Sequence, residues 1–239
     1  MLEKIEKLQT LIVGAIVVLA ILIGAKIISS SMSQNVITVT GSASQVVKSD
    51  SGRVELKINI QNSSKQVALS NLKKQAEVVK KYLQDKKITD IEIKPSYSYA
   101  VYKKDSRGYD TQAIDYHVIN QSIIAKSNNV ELIKEISTDV TNLIDKGIDV
   151  SAYDPTYNYS KLADLKVELL EKASKDAKER ANSMLKPTRN SAGKIKNVRM
   201  GVYQITPVDS TDVSDNGIND TSTIDKKVTA VANVSFRIK

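Results

Sequence analysis

An unbroken apolar run near the amino terminus constrains where the rest of this chain folds. Leu11 to Ala25 reads LIVGAIVVLAILIGA, and after Lys26 the run resumes as Ile27 and Ile28. A helix rises about 1.5 Å per residue, so the roughly 18 residues from Leu11 to Ile28 would cover about 27 Å, close to the thickness of a bilayer core. The run therefore predicts a transmembrane helix.

Two interpretations of this run compete, an uncleaved signal-anchor and a cleaved secretory signal peptide. A signal-peptide core has about 7 to 15 apolar residues and ends at a cleavage site with small residues. Here Gly24 and Ala25 are followed by Lys26 and Ile27, which lengthen the run. We favour the uncleaved anchor.

The basic residues that flank the run predict its orientation. Lys4 and Lys7 precede it, and after Lys26 no Lys or Arg occurs until Lys48. Positive charge favours the cytoplasmic side. The sequence thus predicts a single-pass protein of the cytoplasmic membrane: residues 1–30 are stub and anchor, residues 31–35 a linker, and residues 36–239 a domain in the periplasm or on the cell surface.

The composition limits the core and the partners of this domain. The chain has no Cys, no Trp and one Phe, so its core must be built from Ile, Val, Leu, Ala and Tyr without disulfides. Its net charge is +8, but the Lys residues are interspersed with Asp and Glu and form no Arg-rich stripe. A nucleic-acid partner is therefore not expected.

Hydrophobic periodicity predicts the element order β-β-α-β-β-α-β-α-β-β. The predicted strands cover residues 36–47, 53–60, 88–102, 112–126, 148–159, 193–206 and 226–238, and the last helix covers residues 160–185. The first two strands are expected to form a hairpin around the polar residues 48–52. The fold class is α+β, with helices packed on one face of a largely antiparallel sheet.

Capping residues and apolar stripes define the predicted helices. The first helix starts at Ser63 or Ser64 and the second at Asn128 or Asn129, and Gly147 suits a left-handed position at the end of the second. The stripes are Leu69, Leu72, Ala76, Val79 and Leu83; Ile133, Ile136, Val140 and Leu143; and Leu162, Leu165, Leu169, Ala173, Ala177 and Ala181. The alanines of the last stripe predict a close approach of that helix to the sheet.

The sequence offers little for catalysis. His117 is the single histidine, it lies in a predicted strand, and the chain has neither a Cys nucleophile nor a G-x-S-x-G motif. Zinc sites need several Cys or His ligands. We predict a non-enzymatic protein with no catalytic residues, no cofactor and no metal site.

A polar loop between the last two strands leaves one alternative open. Its oxygen-bearing residues are typical of calcium ligands, although their spacing misses the twelve-residue calcium loop and its closing Glu. They are Asp209, Asp212, Asp215, Asn216, Asn219 and Asp220, with Gly217 among them. The other interpretation is a connection rich in Asx turns.

Tyrosines concentrate in two segments. Tyr97 and Tyr99 share one strand face, and so do Tyr157 and Tyr159; Tyr102 and Tyr153 lie nearby. Tyr combines a large apolar ring with a hydrogen-bonding tip, which suits either packing within the protein or an interface with another protein.

From residue 36 to residue 238 the chain resembles the SIMPL-domain family of bacterial periplasmic or surface proteins. The residues that carry this resemblance are Val39-Thr40-Gly41, Asp50, Val54, Leu56, Tyr116, Asn129 to Ile133, Ala173, Ala177, Ala181, Gly193 to Ile195, Gln204 to Val208, Val213 to Asp215, Gly217 to Asp220 and Lys227 to Val231. The resemblance implies an α+β fold, a ring-like oligomer in at least one bacterial member and a loose association with envelope or oxidative stress. It implies no catalytic residues.

Together these features predict a membrane-anchored, extracytoplasmic protein that self-associates or scaffolds partners through sheet edges and Tyr faces, with Leu11 to Ile28 as its contact with the membrane. The alternative is a module that binds an ion or a small molecule, in the loop from Asp209 to Asp220 or in a cleft.

Overall fold

A computed structural model describes residues 12–26 and 35–239 of the chain. The helices are α1 (residues 12–26), α2 (Lys65–Asp85), α3 (Val130–Asp139) and α4 (Leu162–Leu185), and 3-10 helices cover Val140–Lys146 and Lys186–Thr188. The strands are β1 (Val36–Lys48), β2 (Ser51–Asn62), β3 (Asp90–Ile93), β4 (Tyr97–Lys104), β5 (Asp110–Ser127), β6 (Val150–Ala152), β7 (Thr156–Asn158), β8 (Ala192–Met200), β9 (Gln204–Pro207), β10 (Ile218–Asn219) and β11 (Asp225–Ile238). The fold class is α+β, as predicted, but the strands form two sheets where a single sheet was predicted.

The predicted membrane anchor is wrong, and so is the membrane localisation that depended on it. Within residues 12–26 and 35–239, no helix is both long enough and apolar enough to cross a bilayer. The described residues of α1 number 15, and at about 1.5 Å per residue they cover about 22 Å. Leu11, Ile27 and Ile28 of the predicted span, and residues 31–34 of the predicted linker, lie outside the described residues.

The chain divides into two compact units. One comprises the described residues up to Ala43 together with Leu170–Gly201 and Val231–Lys239, and the other comprises Ser44–Leu169 and Val202–Ala230. The strands β1 and β11 and the helix α4 contribute residues to both units.

The larger unit is built on a six-stranded sheet. Its central order is β3-β5-β2-β6, with β4 also paired to β5 and β7 also paired to β2, and all of these pairs are antiparallel. The helices α2 and α3 contact β2 and β5. The buried core between them includes Val54, Leu56, Ile58, Leu72, Val79, Leu83, Ile123, Ile133 and Ile136.

The alternation in β2 explains this core. Val54, Leu56, Ile58 and Ile60 are at most 6% exposed, whereas the residues between them reach solvent. Side chains alternate between the two faces of a strand, so one face of β2 is buried against the helices and the other is open. The sequence pattern predicted this arrangement.

The smaller unit packs α4 on the second sheet. The second half of β11 pairs antiparallel with β8 in this unit. Its core is a cluster of small and aromatic side chains: Val39, Ala173, Ala177, Ala181, Ala232, Val234 and Phe236. The alanine stripe of α4 is therefore buried, as predicted. The second sheet as a whole has the order β1-β11-β9-β10, with β8 paired to β11.

The predicted hairpin of the first two strands is wrong. In the structure β1 lies next to β11 in the second sheet, whereas β2 pairs with β5, β6 and β7 in the six-stranded sheet. The polar residues 49 and 50 between the two strands connect different sheets. Short polar connections favour hairpins, but β2 forms eleven residue pairs with β5 instead of pairing with β1.

Prolines divide two segments that the hydrophobic pattern predicts as single strands. Pro95 separates β3 from β4, and Pro155 separates β6 from β7. Proline has no backbone N–H to donate to a neighbouring strand, so pairing stops at these positions.

The helix termini agree with the capping predictions and resolve their alternatives. The Ser64 hydroxyl accepts a hydrogen bond from Val67 N, and the Asn129 side chain accepts one from Leu132 N. Gly147 ends the 3-10 helix after α3 with a φ of 78°. In α2 the buried stripe starts at Ala68, while Leu69 is 39% exposed, so the predicted stripe was off by one position at its start.

Candidate functional site

The strands β4 and β5 form a long antiparallel hairpin, which we call the arm. Tyr97 of β4 lies opposite Asn120 of β5, and the pairing continues with irregular register to Lys104 opposite Asp110. Every residue from Lys103 to Asp115 is exposed. Two strands alone bury little apolar surface, so the outer half of the arm offers both faces to contacts.

Tyrosines line one face of the arm. Tyr97 and Tyr99 are 66% and 45% exposed, and their ring centroids lie 6.0 Å apart at an interplanar angle of 38°. Val101 follows on the same face, because residues two apart in a strand point the same way. The two-residue spacing predicted this shared face, and the exposure shows that these two rings are not packed in the core.

The tyrosines of the second segment divide between the two interpretations. Tyr157 is buried in the core of the larger unit at 3% exposure, and burial raises the pKa of its hydroxyl. Tyr153 is 52% exposed and Tyr159 is half-buried. No signal in the sequence distinguishes these tyrosines, because the alternation continues across Pro155 whereas the strand does not.

The tip of the arm is a tight polar turn. The Asp105 carboxylate accepts hydrogen bonds from Arg107 N at 2.8 Å and from Tyr109 N at 3.0 Å. Gly108 follows with a φ of 85°, which glycine adopts without steric cost. The turn holds Tyr109 at the tip with 70% of its surface exposed.

The loop between β9 and β11 contains Asp220, whose carboxylate is surrounded by hydrogen-bond donors. Its carboxylate accepts hydrogen bonds from Ser222 N at 2.8 Å, from Ser222 Oγ at 2.7 Å and from Thr223 Oγ1. Lys226 Nζ donates to Asp220 O at 2.8 Å and lies 3.4 Å from Asp220 Oδ2. The Asp220 side chain is only 7% exposed and the Lys226 side chain only 3%.

The electrostatics of this pair follow from burial and hydrogen bonding. Burial acts to raise the pKa of Asp220, but the bonds from Thr223 and Ser222 and the charge of Lys226 outweigh it and lower the pKa to about 2. For Lys226, burial lowers the pKa and Asp220 opposes that shift. The Asp220 carboxylate is therefore already hydrogen-bonded to donors of its own loop.

Asp209, Asp215 and Asn216 of this loop lie in turns. Asp212 accepts from Ser210 Oγ at 3.0 Å, Gly217 has a φ of 82°, and Asn219 lies in the short strand β10. In residues 12–26 and 35–239, no group of three or more His, Cys, Asp or Glu side chains is arranged to hold a metal ion. Of the two interpretations, the described residues favour the loop rich in Asx turns.

The single histidine lies within the larger sheet. His117 of β5 is half-buried and lies opposite Ala100 of β4 on one side and Asn62 of β2 on the other.

Sequence reasoning missed the Asp220–Lys226 pair. The signal for it was present, because Asp220-Thr221-Ser222-Thr223 has the spacing of an aspartate that accepts bonds from the two to three residues after it.

The chain was compared with known proteins. A search of curated proteins found no match. Among solved structures, the de novo designed protein Foldit4 shares 15% identity with a TM-score of 0.22, covering 44% of this chain and 96% of that one. A hydantoinase/carbamoylase-family amidase from Burkholderia phymatum shares 9% identity with a TM-score of 0.27, covering 58% of this chain and 36% of that one. Both TM-scores are too low to carry an argument about fold or function.

The model of one protein family matches almost all of the chain outside the amino-terminal segment. The match runs over residues 37–236, and the family is described as SIMPL, "Protein of unknown function (DUF541)". It covers the strands, the helices α2 to α4, the arm and the loop that holds Asp220. This chain therefore belongs to the SIMPL family.

Proposed function

We propose that the domain is a non-enzymatic interaction module that self-associates through its arm. The observation that carries this proposal is the exposure of Tyr97, Tyr99, Tyr102 and Tyr109 on one two-stranded hairpin, at 66%, 45%, 43% and 70%. Aromatic rings, Tyr included, are enriched in protein interfaces, and grouped exposed apolar surface on a soluble unit marks a contact site.

The charges of the arm favour a second copy of the same chain as the partner. Its outer half carries the cations Lys103, Lys104 and Arg107 together with the anions Asp105, Asp110 and Asp115. In a twofold contact the same patch meets itself, so a patch that holds both signs can pair each charge with the opposite one. A patch of one sign would repel its copy.

Sedimentation equilibrium of the full chain over a wide concentration range tests the proposal. We expect the wild-type chain to form a discrete oligomer and the double variant Tyr97→Ser/Tyr99→Ser to dissociate at concentrations where the wild type is assembled. Tyr153→Ser is the matched control, because Tyr153 is 52% exposed and lies outside the arm. A wild-type chain that stays monomeric at high concentration, or a double variant that assembles as the control does, would contradict the proposal.

A further inference from the structure

A polar cavity of about 440 Å³ lies where β2, β3 and β5 approach the loop after α2 and the start of α3. Its lining contains three cationic side chains, Arg53 of β2, Lys126 of β5 and Lys87 of the loop, against one carboxylate, Asp90 of β3. Pockets for small ligands have volumes of about 300 to 1,000 Å³. The cavity has the size of a ligand site and an excess of positive charge in its wall.

Two of these cations are direct neighbours in the sheet. Arg53 lies opposite Lys126 in the antiparallel pairing of β2 with β5, and like charges in this position repel each other. Their carboxylate partners are partly exposed: Glu55 is 4.0 Å from the Arg53 guanidinium, and Glu92 is 3.2 Å from Lys126 Nζ. On its other side Lys126 lies opposite Asp90 of β3, so an anion in the cavity would meet three cationic side chains and one carboxylate of the wall.

The third cation stands at a position that favours glycine. Lys87 follows the carboxyl end of α2 with a φ of 64°, in the left-handed region that side chains with a Cβ rarely adopt. Among the described residues no hydrogen bond or ion pair engages its ammonium group. Non-glycine residues in such conformations concentrate at binding and catalytic sites, and this one brings a free positive charge to the cavity.

Neutral donors complete the wall. Ser127 Oγ accepts a hydrogen bond from Asn129 N at 3.0 Å, which leaves its own hydrogen available to donate, and Asn128 also lines the cavity. A guanidinium group binds a phosphate through two parallel hydrogen bonds, and an ammonium group binds it as a point charge.

We propose that this cavity binds the phosphate group of a small anionic molecule. Arg53, Lys87 and Lys126 contact the phosphate oxygens, and the remaining volume holds the rest of the molecule. This site contains none of the exposed tyrosines and none of the charged residues from Lys103 to Asp115 that the arm is proposed to use, so it can be tested independently of self-association.

Isothermal titration calorimetry of the full chain with inorganic phosphate, at constant ionic strength in chloride buffer, tests the site. We expect binding of phosphate that chloride does not compete away. Lys87→Gly and Arg53→Gln are each expected to raise the Kd about tenfold, the effect of losing one hydrogen bond to a charged group. Lys146→Gln is the control, since it removes an exposed Lys outside the cavity.

The variant Lys87→Gly keeps the test decisive, because glycine suits the local backbone and the protein remains folded. No heat of phosphate binding above the chloride background would overturn the proposal. It would also be overturned if Lys87→Gly and Arg53→Gln bound phosphate as tightly as Lys146→Gln.

Discussion

Gly41 of β1 lies against the backbone of α4 at Ala177. A Cβ on Gly41 would stand 2.8 Å from Ala177 Cα and closer still to Ala177 N and Ala173 O. The neighbouring Ser42 N donates to the Asp176 carboxylate at 2.8 Å. Strand and helix approach this closely because both contact surfaces lack large side chains.

We expect Gly41→Ala to destabilise the protein by about 3 kcal/mol or more, since the new methyl group meets backbone atoms that have no room to move. The measurement is the free energy of unfolding in guanidinium chloride. Gly24→Ala is the control, because no atom lies within 4 Å of a Cβ placed on Gly24 and alanine favours a helix. Equal stability of Gly41→Ala and wild type would show that β1 and α4 do not pack this closely.

The sequence predicted only the helix side of the contact between Gly41 and α4. The alanine stripe of α4 predicted a close approach to a sheet, and Gly41 was noted among the residues of the family resemblance, but nothing in the pattern joined the two. The alternation in β2 located the larger core for a simple reason: burial of one strand face is a local property that the chain displays in its own order.

Pairing between strands was harder to predict than the strands themselves. Lys48 to Gly52 has the composition of a hairpin turn, yet β1 and β2 join different sheets. The choice depends on β5 and β11, which are distant in sequence. The cavity near Arg53 and Lys126 was missed for the same reason, because only the register of β2 with β5 places the two side by side.

The start of α3 distinguishes two adjacent asparagines. The Asn129 side chain accepts a hydrogen bond from Leu132 N at 3.2 Å, whereas Asn128 lines the cavity. We expect Asn129→Ala to cost about 1 kcal/mol of unfolding free energy, the usual value of a helix cap. Asn128→Ala is the control and should change stability by less than about 0.5 kcal/mol. Thermal or denaturant unfolding checks both, and the reverse ranking would assign the cap to Asn128.

Lys87→Gly should stabilise the protein by about 1 kcal/mol, because glycine avoids the steric cost of a left-handed conformation. Lys74→Gly is the same chemical change at a helical position, and it should lower the stability of the protein instead of raising it. Lys74 is exposed in the middle of α2, where glycine costs about 0.5 to 1 kcal/mol. Urea unfolding of the two variants measures the difference. Loss of stability in both would show that Lys87 is not strained.

The buried pair of Lys226 and Asp220 should be more sensitive to substitution than an exposed pair. Lys226→Met leaves a carboxylate that is 7% exposed without its cation, and breaking a buried pair in this way costs about 3 to 5 kcal/mol. Lys48→Met is the matched control, since Lys48 and Glu131 are both 59% exposed, and it should have no measurable effect. Equal unfolding midpoints for the two variants would contradict the burial of Lys226.

The lowered pKa of Asp220 also predicts how the stability of the protein falls in acid. The folded protein holds the pKa of Asp220 at about 2, below its ordinary value of 3.8. The unfolded chain therefore binds the proton more readily. The stabilisation is complete above about pH 4 and is lost as the pH falls through about 2. Unfolding free energies measured from pH 6 to pH 2 should fall less steeply for Asp220→Asn than for wild type, by about 2 kcal/mol across this window. Asp215→Asn removes an exposed charge from the same loop and shows what charge removal alone does. Parallel curves for wild type and Asp220→Asn would mean that the bonds from Ser222 and Thr223 do not hold the carboxylate in its charged form.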